Sequence, residues 1–105
     1  WDWAKAFDNS APIAPILPIA DVASVEKGRL WLAVNGEMKQ EADLSQMIWS
    51  VREHTATLSQ AVTLAPGDII MTGTPAGVAA VQPGDVITGG VDGVSEFEVT
   101  VGPRA

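Results

Sequence analysis

Leu30-Trp31-Leu32-Ala33-Val34-Asn35-Gly36-Glu37-Met38-Lys39-Gln40-Glu41-Ala42 is the stretch that decides the fold. Two runs, Leu30 to Val34 and Met38 to Ala42, flank Asn35-Gly36. That dipeptide suits the two positive-φ positions of a type I′ turn, so the spacing predicts an antiparallel hairpin with a structural role. A second hairpin is expected around Asp92-Gly93, joining residues 85–91 to residues 94–101. In its second arm Val94, Glu96, Glu98 and Thr100 alternate with Ser95, Phe97, Val99 and Val101, the period of a strand. Two Pro-Gly-Asp turns, Pro66-Gly67-Asp68 and Pro83-Gly84-Asp85, each precede a short β-branched run, Ile69-Ile70 and Val86-Ile87. Proline fits the second position of a type II turn and glycine the third. The echo is a shared turn device, too short to be a repeat.

From Asp68 the chain runs Asp68-Ile69-Ile70-Met71-Thr72-Gly73-Thr74-Pro75-Ala76-Gly77-Val78. Residues 68–71 read as a short buried strand. It delivers Thr72, Gly73 and Thr74 into a loop fixed by Pro75 and loosened by Gly77. Two readings stand side by side. The loop is an ordinary strand-to-turn junction whose hydroxyls cap local backbone. Or it is a site for a small anion, bound by N–H groups and threonine hydroxyls.

Ser50-Val51-Arg52-Glu53 matches a capping box, and Val51, Thr55, Leu58 and Val62 follow on one helical stripe. The pattern predicts a helix over residues 51–61. His54 lies at the edge of that stripe and reads as a surface or core residue rather than a catalyst. At the start, an extended segment would put Trp1, Trp3, Lys5 and Phe7 on one face. Lys5 then has two readings: a cation–π or snorkelling contact, or a lysine held in a pocket to bind or polarise an anion. Residues 11–18 carry prolines at 12, 15 and 18. They exclude a helix and predict an extended wall packed by its isoleucines. Residues 21–28 read as a polar surface connector and residues 102–105 as a tail. The sum is five or six strands, two hairpins and one helix, a β-rich α+β unit.

At 105 residues the chain is one small domain or part of a larger one, and its 47% hydrophobic share suits a packed core. There is no cysteine, which removes disulfides and thiolate metal sites and leaves the cytoplasm as the default compartment. The net charge is -7, with six Lys and Arg together. Nucleic acid and anionic membrane surfaces are therefore not expected partners. No apolar run is long enough to span a bilayer, and no basic segment followed by an apolar one opens the chain. The first residue is Trp1 rather than Met, and two of the four tryptophans sit in the first three positions. Preceding chain is expected to pack against them.

No His-x-His, cysteine cluster or Glu-x-x-His is present. Glu96 and Glu98 share one side of a strand and read as solvated outer carboxylates. Ser50, His54 and Asp43 could be assembled into a triad on paper, but no nucleophile elbow supports it. Gly73 and Gly77 lack the lysine of a phosphate-binding P-loop. From the residues alone, the chain is a small acidic β-rich domain with a Thr-Gly-Thr loop suited to an anion.

Four stretches, spanning nearly the whole chain in order, resemble the C-terminal half of the fumarylacetoacetate hydrolase family. They are residues 1–8 with the proline-rich segment after them, Leu32 to Glu37, Met47-Ile48-Trp49-Ser50, and Pro66-Gly67-Asp68 through Thr72-Gly73-Thr74-Pro75-Ala76-Gly77-Val78. The last is the most specific. The opening Lys5-Ala6-Phe7-Asp8-Asn9-Ser10-Ala11-Pro12 looks most like the fumarylpyruvate hydrolase, or acylpyruvase, branch.

The resemblance implies a mixed β-sheet roll, here as residues 1–105 of a single catalytic domain whose N-terminal part is missing. It implies a homodimer that uses Mg²⁺ or Mn²⁺ to hydrolyse a C–C bond in an acylpyruvate such as fumarylpyruvate, in aromatic catabolism. The substrate is then a small 2-oxo acid. Lys5 matches the family's active-site lysine and Thr74 its substrate-binding threonine, with Gly73 beside it. The family's metal carboxylates lie before the lysine, so this chain would hold none of them. Ala79-Ala80 stand where Gly-Pro is common, and Ala14 stands where Gly is common; both bear on backbone fit. The alternatives are a family isomerase or oxaloacetate decarboxylase, and a non-catalytic fragment or association module of the same fold.

Overall fold

Strand β1 (Arg29–Val34) and strand β2 (Glu37–Asp43) form the first hairpin in the computed structural model, which describes residues 1–104. Asn35 and Gly36 take φ of 51° and 80°, as a type I′ turn requires. Strands β3 (Val86–Val91) and β4 (Ser95–Thr100) form the second hairpin across residues 92–94. The sheet order is β2-β1-β3-β4, and every pair is antiparallel. The two hairpins thus join through their first strands. The architecture is the β-rich α+β class expected, with the sheet of these residues antiparallel throughout.

The first hairpin has one irregularity. Leu32 pairs with Gln40 and Ala33 with Met38, so Lys39 is an extra residue in β2. It makes a β-bulge, two residues opposite one.

The tip of the first hairpin is tied to the entry of the second. Asn35 Nδ2 donates to Asp85 Oδ1 at 2.9 Å, and its Oδ1 accepts from the Val86 N–H at 2.9 Å. The Asn35 N–H donates to the Val86 carbonyl at 2.8 Å. Asp85 also accepts from the Gln82 N–H at 2.8 Å. The Gln82 and Asn35 hydrogen bonds hold its carboxyl below the usual aspartate value.

The two Pro-Gly-Asp turns are built alike. The Asp68 N–H reaches the Ala65 carbonyl and the Asp85 N–H the Gln82 carbonyl, both at 3.1 Å, with Gly67 and Gly84 at φ of 96° and 93°. Their sequels differ. Val86-Ile87 enter β3 and pair with β1, Ile87 opposite Val34. Residues 68–71 pair with nothing among the described residues, and Ile69 and Met71 are exposed. The buried strand expected there does not form, and four strands stand where five or six were expected. Strand propensity needs a ladder partner to become a strand, and among the described residues 68–71 have none.

Helix α1 (Asp2–Lys5) replaces the extended start, so Lys5 lies one turn above Trp1, not two positions along a strand face. The proline-rich segment is free of helix as expected, but Ile13 and Ile16 are exposed and pack no wall. Helix α2 (Val51–Ala61) matches its expected bounds. Its box is complete: Ser50 Oγ accepts from the Glu53 N–H and Glu53 from the Ser50 N–H. The tail expected over 102–105 carries no helix or strand up to Arg104, and Ala105 lies outside the described residues.

Among the described residues Ala33, Gly89 and Gly90 are the buried ones, at the centre of the β1–β3 pair. Phe97 pairs with Gly89 across the sheet, and its ring would sit 3.0 Å from any Cβ there. Elsewhere large apolar side chains face outward: Trp1 and Trp3 are 94% exposed and Ile48 97%. The radius of gyration is 15.1 Å, against about 13 Å for a closed domain of this length.

Asn35→Ala removes both side-chain bonds and leaves alanine at a positive φ. It should lower the unfolding free energy of the full-length protein by about 1–2 kcal/mol in urea titration. An unchanged midpoint would show that the tie carries no stability. The depressed carboxyl of Asp85 adds stability that is full above the ordinary aspartate range and is lost as pH falls through its lowered value. Asp85→Asn should therefore flatten the loss of stability below about pH 4, read as thermal midpoint against pH.

Candidate functional site

The loop after residue 71 is docked on the bulge of β2. Gln40, the residue beside the extra Lys39, donates through Nε2 to Thr74 Oγ1 at 2.9 Å and to the Pro75 carbonyl at 2.7 Å. Gly77 lies directly over the Lys39 backbone. A Cβ at Gly77 would run into the Lys39 carbonyl oxygen and approach Gln40 Cγ to 3.2 Å, and its φ of 102° also favours glycine. A bulge exposes backbone and turns side chains, and here both are used to hold the loop.

Gly73, Thr74 and Pro75 form a wall shared by two clefts. The smaller, about 260 Å³, is bounded on its other sides by Trp31, Gln40, Gly90 and Phe97. The larger, about 680 Å³, runs past Thr72 to Asp43, Met47, Trp49 and His54. The larger volume is in the range of small-molecule sites, and the smaller lies just below it. Thr74 is the hydroxyl common to both.

Lys5 lines neither cleft. It is exposed on α1, with Nζ 5.5 Å from the Trp1 ring centroid, which is the cation–π contact foreseen as one of its two readings. Thr74 and Gly73 are brought together at the loop; Lys5 stands apart from them. His54 lies in the wall of the larger cleft, its ring 6.2 Å from that of Trp49. Ser50 caps α2 and lines neither cleft, so the triad assembled on paper is not formed.

The carboxylates are mostly engaged in the fold. Asp43 accepts from the Ser45 hydroxyl and N–H, which hold its carboxyl below the usual range, and also from the Gly28 N–H. Glu53 is lowered in the same way by the Ser50 N–H and hydroxyl. Glu96 and Glu98 lie on the exposed side of β4, as expected. Among the described residues no group of three or more His, Cys, Asp or Glu could hold a metal ion. No helix among them is long and apolar enough to cross a membrane.

Gln40 was not foreseen as part of the site. The available signal was its place between Met38 and Ala42, a polar side chain at alternate positions with two apolar ones.

A family model described as fumarylacetoacetate (FAA) hydrolase C-terminal matches residues 1–102. A fumarylpyruvate hydrolase of Ralstonia sp is 46% identical over 103 residues, covering 98% of this chain and 53% of that protein. The mitochondrial oxaloacetate tautomerase FAHD1 of Rattus norvegicus is 44% identical over 101 residues, covering 96% of this chain and 46% of that protein. Among solved structures, fumarylpyruvate hydrolase from Pseudomonas aeruginosa in complex with Mn²⁺ and pyruvate superposes with a TM-score of 0.93 at 43% identity, over 99% of this chain and 45% of that one. Maleylpyruvate hydrolase from Sphingobium sp SYK-6 gives 0.91 at 37% identity, over 95% of this chain and 38% of that one. The chain spans about half the length of the curated relatives it matches.

Gly77→Ala meets both a positive φ and the Lys39 carbonyl, and should cost about 2 kcal/mol or more in unfolding free energy. Gly73→Ala meets the positive φ with open space around it, and should cost about 1 kcal/mol. Equal losses in urea titration would mean that the contact with β2 contributes nothing.

Proposed function

The chain belongs to the fumarylacetoacetate hydrolase family, and from that premise we propose that it supplies the substrate-binding side of an enzyme that hydrolyses a C–C bond in an acylpyruvate such as fumarylpyruvate. The observation that carries this reading is the Gly73-Thr74-Pro75 wall, anchored to β2 by Gln40 between two clefts. In this reading Thr74 and the neighbouring N–H groups donate to the 2-oxo acid; Lys5 lines neither cleft here, and its place at the substrate's negative charge rests on the family resemblance. Water adds to the acyl carbonyl and the C–C bond breaks. The bonding electron pair passes to the pyruvate fragment as an enolate, which is then protonated to pyruvate. Fixed donors aimed at the developing oxyanion lower that barrier without reorganising.

Relatives include a structure holding Mn²⁺ and pyruvate. A divalent metal, Mg²⁺ or Mn²⁺, belongs to the proposed enzyme and acts as a Lewis acid when bound. The described residues do not form a site for it, so its carboxylate ligands are assigned to polypeptide N-terminal to this chain. The assembly proposed is a homodimer.

The oxaloacetate tautomerase relative at 44% identity supports a second reading. The same donors would stabilise an enolate formed from oxaloacetate without C–C cleavage. Pyruvate release from fumarylpyruvate by the full-length protein with Mn²⁺ or Mg²⁺, set against oxaloacetate keto–enol exchange, separates the two.

Lys5→Ala and Thr74→Val should each lower turnover roughly 10²-fold or more, the scale for losing one preorganised donor. Unchanged turnover in both would remove them from the site. His54→Gln should leave turnover near wild type, since the ring lies beside that of Trp49, 6.2 Å between centroids, and among the described residues makes no hydrogen bond to the loop.

A further inference from the structure

We propose that Gln40 is a positioning residue that makes Thr74 a hydrogen-bond donor toward an anionic 2-oxo acid; this rests on the reading above in which Thr74 binds substrate. A threonine hydroxyl has one hydrogen and two lone pairs, and by itself it donates or accepts as its surroundings dictate. Here its surroundings are set. Gln40 Nε2 lies 2.9 Å from Thr74 Oγ1 and 2.7 Å from the Pro75 carbonyl oxygen. The carbonyl can only accept. Turning the amide over would put Oε1 against it, two acceptors face to face, so the NH₂ end is the end that points into the loop.

Each of the two Nε2 hydrogens then has a partner. One fills a lone pair of Thr74 Oγ1. The threonine hydrogen cannot point back at Gln40 and is left for the clefts that Thr74 lines. The hydroxyl therefore offers a donor to whatever binds there. Carboxylate and enolate oxygens accept such a bond, while a ligand presenting N–H groups at this point does not, so the same device sets a preference.

The chain of cause runs back into the sheet. Gly77 seated on the Lys39 carbonyl fixes where the loop lies, and the bulge at Lys39 places Gln40 beneath it. Gln40 bounds the smaller cleft and acts on the ligand through Thr74: removing the amide frees the hydroxyl to rotate, and replacing it with a carboxylate reverses it. In Gln40→Glu the carboxylate takes the Thr74 hydrogen and turns oxygen lone pairs toward the ligand.

The test uses the full-length, Mn²⁺-loaded enzyme and pyruvate as the probe. Pyruvate affinity is measured by calorimetry, alongside kcat/KM for fumarylpyruvate, for Gln40→Glu, Thr74→Val and the double variant. Gln40→Glu should weaken pyruvate roughly 10-fold or more, and should have no further effect once Thr74 is Val, the non-additivity expected of residues acting as one unit. Equal losses with and without Thr74 would make Gln40 a merely structural residue and overturn the proposal. So would unchanged affinity in Gln40→Glu when Thr74→Val weakens binding. If Thr74→Val itself leaves pyruvate affinity intact, the substrate-binding reading of Thr74 fails first, and this proposal fails with it. Should Gln40→Glu not fold by its thermal midpoint, Gln40→Met replaces it. A loss confined to the Thr74 background supports the proposal, and an equal or absent loss overturns it.

Discussion

Between the pair Leu32–Gln40 and the pair Ala33–Met38 the ladder skips one residue, Lys39. That single extra residue gives β2 a carbonyl on which Gly77 rests and an amide that holds Thr74 and Pro75. Without it, the strand would present the uniform alternation of a regular edge, and the loop would have no fixed seat. The constraint is steric on one side and polar on the other. A close backbone approach admits only glycine, and two hydrogen bonds set the rotation of the wall between the clefts.

The chain is acidic overall, with a net charge of -7, yet the ligand proposed for its candidate site is an anion. The two are compatible because the acidic groups are largely engaged in the fold, including Asp43, which lines the larger cleft but accepts from Ser45 and Gly28. Asp43, Glu53 and Asp85 cap backbone N–H groups or tie hairpins, and Glu96 and Glu98 face outward. At the loop the donors are neutral dipoles at short range, whose local field outweighs distant screened charge.

The hairpins and α2 were legible because each carries local punctuation. Asn35-Gly36 names its own turn, and Ser50 with Glu53 names its own cap. Residues 68–71 and 11–18 were misread for a common reason. Their apolar residues predict burial, but burial depends on a partner surface, which the described residues do not supply. The start was misread because four residues are too few for periodicity to tell a helical turn from a strand, and α1 is four residues long. Thr74 was legible as a hydroxyl in a glycine-flanked loop. Gln40 was not, because its role depends on a bulge, and its alternation with Met38 and Ala42 marks a polar side chain without showing where the ladder slips.

Ile69, Ile70 and Met71 follow a tight turn with no strand pairing among the described residues, close in sequence to the loop that docks on β2. A segment with that form and composition is an open template for another chain, since its free N–H and C=O groups can recruit a strand from any neighbour. With Trp1, Trp3 and Ile48 still more exposed, these residues prepared alone would tend to self-associate into aggregates, and the handling of the polypeptide becomes a question of order. The surface must be covered as the chain emerges and folds, before two copies meet, so expression of the full-length protein at low temperature and low concentration suits it better than refolding from a concentrated unfolded state.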